Sequence, residues 1–153
     1  MTGGSDSPGC LLGFDVGSRR IGVAVGNTLS ESARGIDVVA MREDGPDWAH
    51  IERLVKQWRP NQLLVGDPLT LNGDVQEITR IARRFAEQLG ERSGLPVALV
   101  DERSSSREAD RRFAERRAGG RARRKDAAQL DAVAAEIIIE RWFDRGLSRL
   151  PHH

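Results

Sequence analysis

The stretch Cys10-Leu11-Leu12-Gly13-Phe14-Asp15-Val16-Gly17-Ser18-Arg19-Arg20-Ile21-Gly22-Val23-Ala24-Val25 holds two short apolar runs around a polar turn. Cys10 to Val16 reads as a buried strand and Ile21 to Val25 as a second, joined by a hairpin-like turn through Gly17-Ser18-Arg19-Arg20. Alternation puts Cys10, Leu12, Phe14 and Val16 on one face of the first strand. Leu11, Gly13, Asp15 and Gly17 take the other, so Asp15 is flanked by glycine at both i±2 positions. In the second strand Gly22, Ala24 and Gly26 form a small-residue face. A strand carboxylate set among missing side chains leaves room for an ion or a polymer backbone to approach. The same glycines equally permit close packing of a helix.

Outward from this hairpin, Ile36 to Met41 reads as a third strand. Asp47 to Trp58 has helical periodicity and is ended by Pro60. Gln62 to Val65 is a short apolar strand stopped by Gly66-Asp67-Pro68. Val75 to Arg92 is a long amphipathic helix, with Ile78, Ile81, Ala82, Phe85 and Leu89 on one face. Val97 to Val100 is a fifth strand. Ser104 to Arg117 reads as a charged helix and Ala127 to Phe143 as an apolar one. The order β-β-β-α-β-α-β-α-α begins with strands that can meander antiparallel and continues with strands separated by helices, which favour parallel pairing. The expectation is an α/β fold: a mixed five-stranded sheet with helices on its faces.

Length and composition fit one domain. The 153 residues suit a single core, expected over 10–147, with a Gly/Ser/Pro-rich flexible leader at 1–9 and a short tail at 148–153. One cysteine, Cys10, excludes an internal disulfide and a Cys-based zinc site, and His50, His152 and His153 have no ligand spacing. No apolar run approaches ~18 residues, so no membrane-spanning helix is expected. The net charge is only +1, and the local charge is the informative quantity.

Three carboxylates draw attention. Asp131 lies in Gln129-Leu130-Asp131-Ala132-Val133-Ala134-Ala135-Glu136-Ile137-Ile138-Ile139-Glu140, where Gln129, Glu136 and Glu140 mark a polar helix face. Asp131 falls nearly opposite, in line with Ala134, Ala135 and Ile138. A carboxylate buried there needs a neutralising partner, either a basic side chain, hydrogen-bond donors or a metal ion. Glu102 follows the fifth strand within Asp101-Glu102-Arg103, where ligand sites commonly form in such sheets. Asp15 is the third. Asp67, before Pro68, reads either as a turn residue or as a fourth site carboxylate. Hard oxygen donors without Cys or His select Mg²⁺ or Mn²⁺.

Between Arg103 and Lys125 ten residues are basic and three acidic, a local charge of +7. Arg103, Arg107, Arg111, Arg121, Arg123, Arg124 and Lys125, with Arg19 and Arg20 of the first turn, are the candidates for gripping a phosphodiester backbone. A solvated Arg-rich helix is the plainer reading of part of this segment. Phe113 is the only aromatic residue among these charges, so base stacking is a minor element.

Four ordered motifs together resemble the YqgF family, also called RuvX, of resolvase-like nucleases. They are Gly13-Phe14-Asp15-Val16-Gly17-Ser18-Arg19-Arg20-Ile21-Gly22-Val23-Ala24, Val65-Gly66-Asp67-Pro68-Leu69 with Asn72-Gly73, Asp101-Glu102-Arg103, and Leu130-Asp131 with Ala134-Ala135 and Ile138-Ile139. The resemblance runs from Leu11 to Phe143. It implies an RNase H-like fold with sheet order 3-2-1-4-5, a cytoplasmic location, and trimming of the 5′ end of pre-16S ribosomal RNA. It also implies that Asp15, Glu102 and Asp131 are the catalytic, metal-binding acids. Two positions depart from the family pattern: Gly26-Asn27 stands where Ser-Asp is usual, and Asp67 where Leu is usual. The alternatives are a Holliday-junction-resolvase-like DNA endonuclease and a non-catalytic nucleic-acid-binding module of the same fold. The expected partner is structured RNA or branched DNA. The chain is expected to be a monomer or a homodimer, with Trp142, Phe143 and Leu147 as candidate contacts.

Overall fold

In the computed structural model, which describes residues 9–69, 72–101 and 126–144, the hairpin predicted from Cys10 to Val25 forms the centre of the sheet. Strand β1 (Cys10–Val16) pairs antiparallel with β2 (Arg20–Asn27), and Gly17 N–H closes the turn on the Arg20 carbonyl at 2.9 Å. Strand β3 (Ser32–Arg42) adds antiparallel to β2. On the other side of β1, β5 (Gln62–Asp67) and then β6 (Val97–Asp101) add in parallel. A two-residue strand β4 (Gly45–Pro46) folds back on the end of β3, giving the order β4-β3-β2-β1-β5-β6. With β4 set aside, the five remaining strands stand in the expected order. Two residues carry no alternation, so nothing in the sequence announced the sixth strand.

Three helices are present among the described residues: α1 (Trp48–Trp58), α2 (Glu77–Ser93) and α3 (Asp126–Asp144). Asp47 caps α1 by accepting from His50 N–H, and Arg59 ends it in the left-handed region at φ 48° just before Pro60. The Gln76 N–H donates to Thr79 Oγ1 at the start of α2, and Thr79 in turn donates to the Pro68 carbonyl. This buried threonine ties the loop after β5 to the helix. Gly94, at φ 72°, closes α2 as its C-cap.

The strand alternation sorts the core into two layers. Leu12, Phe14 and Val16 of β1 pack with Ile51 and Leu54 of α1 and with Ala82, Phe85 and Leu89 of α2. Phe85 is sandwiched, with its ring centroid 5.6 Å from Phe14 and 5.3 Å from Trp48. Leu11, Ala24, Leu64 and Val100 form the opposite face and pack under Ala135, Ile138, Ile139 and Phe143 of α3. Phe143 is therefore core, which removes it from the candidate dimer contacts; Leu147 lies outside the described residues. A further cluster of Val133, Ala134 and Ile137 with Leu130 lies on the other side of α3. From Leu130 to Phe143 no residue of the helix is fully exposed, and this explains how apolar its sequence is.

Candidate active site

Glycine decides how α3 meets the sheet. A Cβ on Gly22 would lie 2.0 Å from the Asp131 carbonyl oxygen, and one on Gly35 would lie 2.7 Å from the Ala132 Cβ. A Cβ on Gly13 would stand 2.8 Å from the Ile139 side chain. The small faces of β1 and β2 thus accommodate a helix in van der Waals contact, the second of the two uses open to them. Much of the room around Asp15 is filled by α3.

That seating brings two of the predicted acids to one end of one face. Asp15 is the direct cross-strand partner of Gly22, so the two Cα atoms lie about 4.5–5.5 Å apart and their substituents point the same way. Asp131 rests its backbone on the same Gly22. Both carboxylates are half-buried. Asp131 is less enclosed than a helix-face reading suggests, its side chain being 27% exposed. Its neutralising partner is Arg20, the first residue of β2, whose Nε–H donates to Asp131 Oδ2 at 2.6 Å. Arg20, expected among the residues that grip a phosphodiester backbone, is bound in the structure to the acid on α3.

Asp67 takes a different place. It ends β5 on the side of Leu63 and Val65, facing α2, whereas Asp15 faces α3. Arg83 of α2 grips it with two bonds, Nε to Oδ1 at 2.8 Å and Nη2 to Oδ2 at 3.0 Å. The Asp67 side chain is 13% exposed. Its hydrogen bond, with its charge second, holds the Arg83 guanidinium more firmly protonated than usual. The structure does not bring Asp67 together with Asp15 and Asp131.

Glu102 and the basic candidates Arg103, Arg107, Arg111, Arg121, Arg123, Arg124 and Lys125 lie outside the described residues. Arg19 is exposed in the β1–β2 turn and makes no ion pair among the described residues. Among those residues no three His, Cys, Asp or Glu side chains surround one point. The donors that are described nevertheless suit a hard cation. They are carboxylate oxygens, one of which already holds a cationic group at 2.6 Å.

Glu136 was not among the candidates, having been placed only on the polar face of the helix. The β2–β3 register shifts between Val23 and Ala24, whose partners are Asp37 and Gly35, so Ile36 is the extra residue of a bulge. Glu136 Oε2 accepts the Gly35 N–H at 2.7 Å and fastens α3 to the bulge. On the opposite layer Asp37 Oδ2 meets His50 Nε2 at 2.8 Å. Gly35 inside a strand was the available signal.

A family model described as "RuvX: Holliday junction resolvase" matches residues 9–145. A protein of Xanthomonas axonopodis pv. citri named "Putative pre-16S rRNA nuclease" is 58% identical over 135 residues, covering 88% of this chain and 87% of that one. A protein of the same name from Xanthomonas campestris pv. campestris is 57% identical over 133 residues, covering 87% and 86%. Among solved structures, T. thermophilus RuvC in complex with Holliday junction substrate matches with a TM-score of 0.53 at 18% identity, covering 90% of this chain and 96% of that one. At that identity the likeness concerns the fold, which is the RNase H-like one.

Proposed function

The chain belongs to the RuvX family, and from that premise we propose that it is a divalent-metal-dependent nuclease that hydrolyses phosphodiester bonds of pre-16S ribosomal RNA in the cytoplasm. The observation that carries the reading is the contact of α3 with Gly22, which gathers Asp15 and Asp131 at one end of the sheet. Asp15, Glu102 and Asp131 are the acids proposed to hold Mg²⁺ or Mn²⁺. When bound, such an ion supplies an activated water and stabilises charge on the phosphate and the leaving oxygen.

The chain's own residues prepare that chemistry. Asp15 sits on β1, which is flanked by β2 and β5, and pairs with Gly22 of β2 just beyond the last β1–β5 pair at Phe14, so its position is fixed by the sheet. Asp131 is held by the helix that the glycines admit. Glu102 follows directly on Asp101, the last residue of β6. Arg19 and the basic residues from Arg103 to Lys125 are assigned to the phosphate backbone. Asp67 we assign to a scaffolding role, because Arg83 occupies both its oxygens. No helix among the described residues is long and apolar enough to cross a membrane.

A four-way DNA junction is the second substrate reading, favoured by the family model's description and by the RuvC-like fold. Cutting a junction symmetrically would call for a dimer. The site assignment is tested by cleavage assays on Asp131→Asn, Glu102→Gln and Asp67→Asn. The first two variants should lose metal-dependent cutting while still binding nucleic acid, and Asp67→Asn should retain it. Unimpaired cutting by Asp131→Asn would remove Asp131 from the site.

A further inference from the structure

We infer that Arg20 is a positioning residue that occupies Asp131 until a divalent cation takes its place, so that arginine and metal alternate on one carboxylate. The inference deepens the nuclease reading and rests on its metal site. The strand position of Asp15 and the backbone of Asp131 both meet at Gly22, and two acids gathered at one end of a sheet repel each other. The Arg20 guanidinium, bonded to Asp131 Oδ2 at 2.6 Å, offsets one of them. It therefore holds the Asp131 carboxylate in place beside the start of β2.

The pair is built to open. The Arg20 side chain is 47% exposed and that of Asp131 27%, and ion pairs open to water are weak. The Arg20 backbone is pinned, because its carbonyl accepts the Gly17 N–H and it pairs with Ala40 of β3. Only the long side chain has to move. A dication at Asp131 would repel the guanidinium and attract the carboxylate, and both effects favour the exchange. Asp67 shows the contrast: its side chain is half as exposed and both its oxygens are held by Arg83.

The test is Mn²⁺ titration of the full chain without nucleic acid, read by electron paramagnetic resonance of free Mn²⁺. The proteins are wild type, Arg20→Gln, Arg20→Lys, Arg19→Gln and Asp131→Asn. Removing the competing cation should tighten Mn²⁺ binding by Arg20→Gln about three- to tenfold. Arg20→Lys, which keeps the charge, should stay near wild type, and Asp131→Asn should bind more weakly. Arg20→Gln should also melt lower than wild type without metal and gain more in Tm when Mn²⁺ is added. Unchanged or weaker binding by Arg20→Gln, with Asp131→Asn still weakened, would overturn the inference and leave the metal site standing. Equal tightening by Arg19→Gln would reduce the effect to net charge and overturn it as well. No Mn²⁺ binding by any of the five proteins would overturn both the inference and the reading beneath it.

Discussion

Asp15 and Asp131 owe their proximity to a residue with no side chain. Asp15 was legible from alternation within one strand, because its neighbours Gly13 and Gly17 mark the same face. The partner of Asp131 was not legible, because Arg20 lies 111 residues away and any arginine would have answered the same electrostatic need. The partner of Glu136 was not legible for a related reason. Helix periodicity predicts a polar face, but it does not reveal that a bulge on a distant strand presents an N–H to it. A further prediction at this scale concerns Cys10, whose thiol is half-buried with Sγ 3.4 Å from the Trp58 carbonyl. Burial pushes its pKa up. The folded state thus holds the thiol proton more tightly than the unfolded chain does. The stability associated with this group is intact below the ordinary thiol range and declines as pH rises through it. Iodoacetamide at pH 8 should label native Cys10 more slowly than Cys10 in urea-unfolded protein; equal rates would contradict the buried placement.

Among the elements, the informative pair is β2 and α3. Gly22→Ala would drive a methyl group into the backbone of Asp131, which cannot rotate away, and should destabilise the fold by about 3 kcal/mol or more. Gly13→Ala meets a side chain rather than backbone at close range, with Ile139 Cγ1 at 2.8 Å and the Ala135 carbonyl at an ordinary 3.4 Å, and should cost less, about 1–2 kcal/mol. Urea denaturation of both variants measures the difference, and similar midpoints would mean that α3 does not sit where the structure puts it. The helix read over Ser104 to Arg117 lies outside the described residues; five strands and the other three of the four expected helices were readable from period and punctuation. Their ends were less so: β2 and β3 run further than the apolar residues suggested, because backbone pairing continues through Arg20, Ser32 and Arg34. The two-residue β4 depends on the reversal at Gly45, where φ is 123°, and not on any apolar pattern.

At the scale of the whole molecule, helices cover both faces of the sheet among the described residues, and Asp15 and Asp131 gather on the α3 face at the end where β1 finishes. The basic segment joins β6 to α3 in sequence, so the residues assigned to phosphate binding connect the elements that carry the acids. Each phosphate contact removed from that segment, for example by Arg123→Gln or Arg124→Gln, should flatten the log K against log salt slope by roughly 0.7–0.9 and leave the cleavage position unchanged. A slope identical to wild type in both variants would move the nucleic-acid interface elsewhere.

The central claim is that the acids around Gly22 make this chain a nuclease for pre-16S ribosomal RNA. The most direct measurement is cleavage of end-labelled pre-16S RNA and of a four-way DNA junction, with Mg²⁺, with Mn²⁺ and with chelator, by wild type and Asp15→Asn. The account predicts metal-dependent cutting of the RNA in preference to the junction, abolished by chelation and by Asp15→Asn, with binding retained by the variant. Cutting that survives in Asp15→Asn, or binding of both substrates without cutting by the wild type, would contradict it.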